Sequence, residues 1–315
     1  MNDKYIEEFK EGEKIDVCLL VTNVTKGVSN NGSPYLSITL QDKSGSIDGK
    51  KWDCNEHDIL VAEQAKVIRV IADVIDYRGV HQLKILSLES IDQSTVDYVR
   101  FCIPCPIPQE ELLKKFNSFL NSIKNKDCKA ILNKIFDKYY DKFIVFPAAS
   151  KNHHECISGL LYHTVSMAEL ASLIAMQYEE IDLDMLLTGV ILHDVGKVIE
   201  LSGPIATKYT LEGKLIGHIS IMVGEISMAA QELNINSEVP LLLEHMILSH
   251  HGSKDFGSPI LPLTREALVL HAVDDLDSKM NILNKAYADV EEGEFTQRLI
   301  AMEGRAFYKP KKNMY

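Results

Sequence analysis

The chain has 315 residues, which is long enough for two domains, and its 46% apolar and 25% charged residues are typical of a soluble globular protein. A formal net charge of −12 excludes a general long-range attraction for nucleic acid, although bound metal ions or a local basic patch can reverse the sign at one place. No apolar run reaches the roughly 18 residues of a membrane span, and residues 1–14 are charged, unlike a signal peptide. We therefore expect a cytoplasmic protein without a membrane partner, in which the six cysteines are reduced.

Residues 14–90 have the pattern of a small β domain. Leu36, Ile38 and Leu40 alternate with polar residues, as in a strand with one buried face. The same reasoning predicts a short helix at residues 58–62 and five strands, at residues 15–21, 35–40, 46–52, 66–75 and 80–88. Five short strands with one interrupting helix fit an OB-fold, a small Greek-key barrel.

After this module the periodicity becomes helical. The three prolines in residues 101–108 indicate a linker, and the CxxC spacing of Cys102 and Cys105 is interpreted as structural because no second pair follows it. Amphipathic helices are predicted at residues 109–120 and 126–140, and nearly everything after residue 151 is helical. We expect a multidomain α+β protein: an OB-fold domain at 1–95, a linker with helices at 96–150, and an all-α helical bundle at 151–312.

The histidines are concentrated in the predicted bundle, where eight of the eleven lie between His153 and His251. Candidate metal ligands recur roughly every 25–30 residues, the length of one helix plus a connection, so each helix of a bundle could supply one ligand to a common centre. The candidates are His163, His193, Asp194, His218, His250 and Asp274.

The order of these residues resembles that of the HD phosphohydrolase superfamily, with the sequences HDVGK at 193–197 and SHHG at 249–252 as local contexts. Residues 35–53 look like the nucleic-acid-binding OB family. Together, over residues 14–311, the two modules resemble the YhaM-type 3′→5′ exoribonucleases. The resemblance implies degradation of RNA, and of single-stranded DNA, from the 3′ end with a divalent metal, usually manganese.

The ligand types suit manganese, iron(II), cobalt or zinc better than magnesium, which prefers oxygen ligands. Six ligands are enough for two ions, bridged by the catalytic Asp194. One ion would be completed by His163, His193 and Asp274, the other by His218 and His250. Lys197 follows Asp194 by three residues and shares its helix face, so we expect this second catalytic residue to reach a phosphate oxygen.

The OB resemblance implies a strand-binding surface. Tyr35, Trp52 and Tyr77 would stack on bases, and Lys51 and Arg78, with Lys43 and Lys50, would contact phosphates. Equally, Trp52 could plug the barrel while the lysines are solvated surface. His154 precedes the first ligand and could line the substrate entry. His251 could bind phosphate, a third metal or a helix end.

Three functions remain open. The first is an exonuclease that hydrolyses phosphodiester bonds by a two-metal mechanism and releases nucleoside 5′-monophosphates. The second is a phosphohydrolase of small nucleotides or cyclic dinucleotides, with the OB module serving assembly. The third is a non-catalytic OB-type binding protein. An acidic, weakly binding chain would gain avidity as a homo-oligomer.

Overall fold

The computed structural model of the chain describes residues 4–29, 31–77, 79–102, 105–148, 156–205, 207–254, 257–288 and 290–311. The chain divides into two compact units. The first comprises Met1–Pro104 and Gly203–Lys208, and the second comprises Cys105–Ser202 and Tyr209–Tyr315.

The first unit is built on a closed five-stranded barrel, with strand order β1-β2-β3-β5-β4. All neighbours are antiparallel except β3 and β5, which are parallel. A helix, α1 (Glu56–Val61), interrupts the strands after β3, and its first turn is capped by Asn55, whose side chain accepts from Asp58 N. The predicted OB-type barrel is confirmed. The strands are β1 (Lys14–Val28), β2 (Pro34–Asp42), β3 (Gly45–Trp52), β4 (Val67–Tyr77) and β5 (Val80–Ser90).

Alternation along the strands decides what fills the barrel. Leu36, Ile38 and Leu40 of β2 are fully buried in its core, whereas Tyr35 and Ser37 lie on the other face of the strand. Because successive side chains point to opposite faces, one strand contributes both to the hydrophobic core and to an outer surface. The outer surface of β2 and β3 is therefore available for polar and aromatic residues.

The second unit is helical, and its core is one continuous hydrophobic cluster. The central helix α5 is buried at eight of its ten positions, from Met185 to Leu192, as expected for a helix that is apolar on all sides. The helices are α2 (Gln109–Ser122), α3 (Lys126–Phe143), α4 (Gly159–Gln177), α5 (Leu183–Leu192), α6 (Lys197–Glu200), α7 (Leu211–Leu215), α8 (Gly217–Glu232), α9 (Val239–Ser249) and α10 (Arg265–Ala288).

Helix α4 is long and apolar enough, by length and composition alone, to cross a membrane. Half of its most apolar window is buried inside the protein, however, and its buried positions include Leu160, Val165 and Ala168 of the core cluster. These are the properties of a core helix. The apolar composition of α4 follows from its packing against α5 and α10.

One expectation about the cysteines is wrong. Cys105 and Cys156 form a disulfide, although all six cysteines were expected to be reduced. Cys102, the CxxC partner of Cys105, stays a free, buried thiol. The bonded pair is separated by 51 residues, so its formation depends on the fold bringing distant segments together. The spacing of neighbouring cysteines in the sequence does not indicate it.

Candidate metal centre

The second unit brings together all six predicted ligands. Most of them sit at helix ends, where a side chain can point along the bundle towards a common point. His163 lies on α4, His193 caps the C-terminus of α5 and is followed by Asp194, His218 is in the first turn of α8, His250 caps the C-terminus of α9, and Asp274 is on α10.

The ligand atoms form two groups. In the first group, one ligand atom from each of His163, His193 and Asp274 lies within 4.8 Å of the others, and His163 Nε2 is 3.2 Å from Asp274 Oδ1. The second group has the same spread and consists of His218, His250 and His251. The sequence left three roles open for His251: binding phosphate, binding a third metal or capping a helix. The structure places its ring beside that of His250, with centroids 4.2 Å apart.

Asp194 lies between the two groups. Its Oδ2 is 3.3 Å from His193 Nε2 in the first group, and its Oδ1 is 3.4 Å from His218 Nε2 in the second. One carboxylate therefore offers one oxygen to each group, which is the geometry that a bridging ligand requires. Lys197 Nζ lies 2.6 Å from Asp194 Oδ2 and is also buried.

Two of the imidazole rings are oriented by the helices that carry them. His193 Nδ1 is 2.7 Å from the carbonyl oxygen of Val190, and His250 Nδ1 is 2.7 Å from that of Ile247. A carbonyl oxygen can only accept, so in its neutral form each ring carries the proton on Nδ1 and presents the lone pair of Nε2. This is how metal-binding histidines are usually fixed.

Two other rings are oriented by carboxylates. His163 Nδ1 is 2.7 Å from Asp277 Oδ2, and Asp277 in turn accepts from the Ser166 hydroxyl. His218 donates its backbone N–H to Glu200 Oε1, which also lies 3.1 Å from His218 Nδ1.

Asp277 and Glu200 were not predicted as parts of the site. Asp277 follows Asp274 by three residues, and this separation, which the sequence does show, keeps both on one helix face. For Glu200 the only sequence signal is its distance of three residues from Lys197 on α6.

Several buried polar atoms converge without a partner. Among the residues that the structure describes, the Nε2 atoms of His193, His218 and His250, and Oδ1 of Asp194, are buried and accept or donate no hydrogen bond. Such groups are costly and rare in folded proteins unless they serve a function. Imidazole nitrogens and a shared carboxylate are the donors of borderline divalent cations, so the residues fit a metal site.

The electrostatics keep these groups in ligand form. Burial and the nearby rings of His251 and His193 lower the pKa of His250 well below its usual value, so this ring is neutral. Burial acts against the charge of Asp194, but Lys197 and His193 outweigh it and hold the Asp194 pKa well below its usual range. Burial likewise opposes the charge of Lys197, and Asp194 reverses the effect and raises the Lys197 pKa. Asp194 and Lys197 are therefore a buried ion pair.

Two glycines permit close packing around the ligands. A Cβ on Gly196, in the sequence HDVGK, would lie 2.3 Å from the carbonyl oxygen of His218, so the two ligand-bearing segments approach closely only with glycine there. Gly252, at φ +71°, lies against the ring of His271. His271 Nδ1 lies 2.8 Å from the carbonyl oxygen of His250 and thus holds the end of α9.

The residues expected to bind a strand in the first unit are only partly brought together. Tyr35 and Trp52 are in contact, with ring centroids 4.9 Å apart, and Trp52 is 42% exposed. Tyr77 is 52% exposed at the end of β4. Lys51 Nζ lies 3.6 Å from Asp58 Oδ2 and 3.5 Å from the carbonyl oxygen of Trp52, whereas Lys50 Nζ lies over the Trp52 ring, 5.3 Å from its centroid. The expectations for Arg78 and His154 fall outside the described residues.

Comparison with known proteins agrees with this arrangement. The family described as "HD domain" matches residues 160–279. The chain is 47% identical over 310 residues to a 3′-5′ exoribonuclease YhaM from Geobacillus sp. (strain WCH70), covering 98% of this chain and 95% of that protein. It is 46% identical over 300 residues to the 3′-5′ exoribonuclease YhaM of Bacillus subtilis (strain 168), covering 95% of this chain and 96% of the relative.

A solved structure, the second OB-fold domain of replication protein A from Methanococcus maripaludis, aligns with 30% of this chain and 98% of its own, at 18% identity and a TM-score of 0.24. That likeness is too weak to carry an argument. The near full-length identity to two curated relatives is decisive by itself. The resemblance predicted from the sequence is confirmed: the chain belongs to the YhaM family of 3′-5′ exoribonucleases.

Proposed function

We propose that this protein is a metal-dependent 3′→5′ exoribonuclease that uses two metal ions. The observation that carries the proposal is the position of Asp194, which offers one oxygen to each of two histidine-containing ligand groups. Paired cations are used in many enzymes that transfer or hydrolyse phosphoryl groups, nucleases among them.

His163, His193 and Asp274 would hold one ion, and His218 and His250, joined by His251, would hold the other. When bound, the cations supply positive charge that polarises the phosphodiester and activates water. The mixture of nitrogen and oxygen donors suits manganese, iron(II), cobalt or zinc. Among these, manganese is the metal that the resemblance to the family implies. The rings fixed through Nδ1 need no change of tautomer to present Nε2.

Lys197 supplies a further positive charge inside the site. Its buried ammonium is the donor beside Asp194, and a phosphate oxygen that enters next to Asp194 comes within reach of the same group. Negative charge grows on the phosphate oxygens as water attacks phosphorus, so a fixed cation in a water-poor site stabilises the transition state more than the ground state.

The reaction balances without a further reactant. A water oxygen bonds to phosphorus, and the bond from phosphorus to the 3′-oxygen of the preceding nucleotide breaks. The proton lost by water is transferred to that 3′-oxygen, so the shortened strand ends in a new 3′-hydroxyl. The phosphate stays on the released nucleotide. The product is therefore a nucleoside 5′-monophosphate, and nothing in this chemistry requires the 2′-hydroxyl, which supports single-stranded DNA as a second substrate.

The barrel would hold the strand on which the metal centre acts. Its outer face carries the Tyr35 and Trp52 rings, and every nucleobase has a face that can stack on such rings. A net charge of −12 argues that this binding is local and of modest strength. Single-stranded RNA is the substrate that unites the two units of the chain.

A 5′-labelled oligoribonucleotide tests the proposal. With manganese present we expect a ladder of shortened strands that all keep the label, and nucleoside 5′-monophosphates as the product identified by chromatography. If the strand stays intact while a cyclic dinucleotide or a small nucleotide is hydrolysed, the protein is a small-molecule phosphohydrolase instead.

Metal content and a variant complete the test. Mass spectrometry of the metal-loaded protein should find two ions per chain, and Asp194→Ala should abolish shortening of the strand. A folded Asp194→Ala protein with unchanged nuclease activity would overturn the metal assignment. A chain that binds strands but cleaves neither RNA nor nucleotides would be a binding protein.

A further inference from the structure

The two ligand groups of the metal centre differ in charge. The first consists of two imidazoles and a carboxylate, and the second consists of three imidazoles. Asp194 offers one oxygen to each group and therefore does not distinguish them. A carboxylate brings a full negative charge to a divalent cation and a neutral imidazole brings none, so the first group attracts an ion more strongly. The members are His163, His193 and Asp274 in the first group, and His218, His250 and His251 in the second.

The imidazoles of the second group are also more open to solvent. Both imidazoles of the first group, on His163 and His193, are fully buried. In the second group His250 is fully buried, whereas the side chain of His218 is 12% exposed and His251 is partly exposed. Water can therefore reach the second group and compete with its ligands for an ion. Charge and exposure together predict a tightly held first ion and a weaker second ion.

Glu200 lies against the second group and holds one of its rings. Its Oε1 accepts the backbone N–H of His218 at 3.1 Å and lies 3.1 Å from Nδ1 of the same residue. Because a carboxylate accepts, the neutral ring carries its proton on Nδ1 and presents Nε2 to the group. Within the described ranges of the chain, this Nε2 is buried and has no hydrogen-bond partner. Glu200 therefore fixes both the backbone and the ring of His218.

The Glu200 side chain is presented by a backbone that is itself fixed. The N–H of Glu200 donates to the carbonyl oxygen of Gly196, and the Glu200 carbonyl accepts from Thr210 N at 2.9 Å. A Cβ at Gly213 would lie 2.3 Å from the same carbonyl oxygen, so helix α7 packs directly against it. A group that is ordered in advance loses little conformational entropy when it orients a ligand. Glu200 thus has the rigidity that the orientation of a metal ligand requires.

We propose that Glu200 is the positioning residue of the second metal ion, and that this ion is the more weakly held and exchangeable one of the pair. Glu200 acts through His218, whose ring it keeps turned towards the group. Asp277 has the corresponding place in the first group, with its Oδ2 2.7 Å from His163 Nδ1. The two carboxylates therefore set the affinities of the two ions separately.

The proposal rests on the proposed function, because it takes from it the two ions. It adds a mode of regulation to the same site. When the first ion is held and the second exchanges with solvent, the free metal concentration sets the fraction of chains that carry both cations. The sensitivity of hydrolysis to metal supply then depends on Glu200, which contacts neither the strand nor the ions.

A titration with Mn²⁺ alone tests the proposal without a substrate. The full-length protein is freed of metal by chelation and dialysis, and free Mn²⁺ is followed by electron paramagnetic resonance. We expect two resolved binding steps. The signal of two neighbouring, spin-coupled ions should appear only in the second, weaker step.

Glu200→Ala should weaken the second step by about 10–100-fold, the usual loss when the hydrogen-bond partner of a metal-binding histidine is removed, and should leave the first step unchanged. Glu200→Gln should lose less, because its amide oxygen can accept from the same two N–H groups of His218. It also serves as the test variant if Glu200→Ala does not fold. Equal losses in the two variants would show that the charge alone matters and would overturn the positioning role.

Three further variants complete the comparison, with circular dichroism to verify each fold. Asp277→Ala should weaken the first step. Glu212→Gln is the matched control, because it removes the same charge from an exposed position of α7, the helix that packs on α6, and should leave both steps unchanged. In His218→Ala, adding Glu200→Ala should have no further effect on the second step. A further loss there would overturn the action through His218.

Failure of this proposal is distinguishable from failure of the proposed function. Two ions per chain, with a Glu200→Ala titration like that of the wild type and normal shortening of RNA, would reject the role of Glu200 and leave the nuclease intact. A second binding step that depends on Glu200 in a protein that shortens no RNA would support the role of Glu200 and reject the nuclease.

Discussion

The two units of this protein hold their functional side chains in opposite ways. In the helical unit most of the groups are buried, and the Nδ1 atoms of His193 and His250 are fixed by hydrogen bonds to carbonyl oxygens. In the barrel the rings of Tyr35 and Trp52 pack against each other near the Lys50 ammonium, and Trp52 is exposed. Where side chains must align reacting atoms, a small displacement of one side chain lowers the reaction rate. A stacking contact tolerates such displacements.

The comparison predicts that changes in the helical unit act on chemistry and changes in the barrel act on affinity. The largest effect is expected for Asp194→Asn. The amide keeps the size of the side chain but cannot neutralise two cations, so kcat should fall by about a hundred- to a thousand-fold, and metal content should drop below two ions per chain. Trp52 is the sole tryptophan of the chain, and quenching of its emission by a stacked oligouridylate in excess chelator should not change. A normal rate with two bound ions would contradict the shared-carboxylate geometry.

Metal binding should stabilise one unit alone. Manganese at about one hundred times its dissociation constant contributes about 2.7 kcal/mol to the native state, which raises a melting temperature by roughly 5–10 °C for a unit of this size. Helical circular dichroism should show this shift, while the Trp52 emission change that reports on the barrel should stay at its temperature. Equal shifts of both signals would show that the two units unfold together.

His271→Ala should have an intermediate effect. Removing the ring that holds the His250 carbonyl leaves that ligand less well oriented, and losses of about 10–100-fold in metal affinity or kcat are typical when such supporting groups are removed. His271→Asn should recover most of the loss, because its amide N–H can donate to the same carbonyl. Identical losses in the alanine and asparagine variants would mean that the ring acts by packing.

The smallest effect is expected for Gly224→Ala. This variant distinguishes a glycine with open space around it from Gly27, whose missing side chain makes room for the Tyr35 ring. In α8 the substitution fills open space and favours the helix by about 0.5–1 kcal/mol, so melting should rise by roughly 1–4 °C with no change in strand affinity. Gly27→Ala, the same chemical change in the barrel, should instead cost affinity. A loss of affinity in Gly224→Ala would contradict this distinction.

Much of the fold followed from periodicity. The alternation of Leu36, Ile38 and Leu40 correctly placed β2 in a barrel, and the order of histidines and aspartates predicted which residues α4 to α10 bring together. The strand alternation is a local pattern, and the ligand order needs only one residue per helix. Both can therefore be recognised without knowing how the elements pack. The Cys105–Cys156 disulfide could not be predicted, since it depends on a contact across 51 residues.

Other details of the two sites were within reach of the sequence. Lys50 was expected to contact phosphate together with Lys51, and the two lysines were not distinguished. Lys50 lies two residues before Trp52, so the period of a strand already placed both on one face and Lys51 on the other. Asp277 lies three residues after Asp274 and shares its helix face. Glu200 was harder, because its role depends on how α6 meets the first turn of α8, which no pattern within either segment reveals.

Gly27 of β1 is paired with Tyr35 of β2, and this pairing has a consequence for how the chain can vary. The space above residue 27 and the ring at residue 35 are one volume shared by two positions. A side chain can be gained at 27 only when the ring at 35 is lost or moved, so we expect the two positions to covary among relatives. A change at either position alone would displace or remove the Tyr35 ring, whereas the barrel core, built from the opposite face of β2, would stay intact.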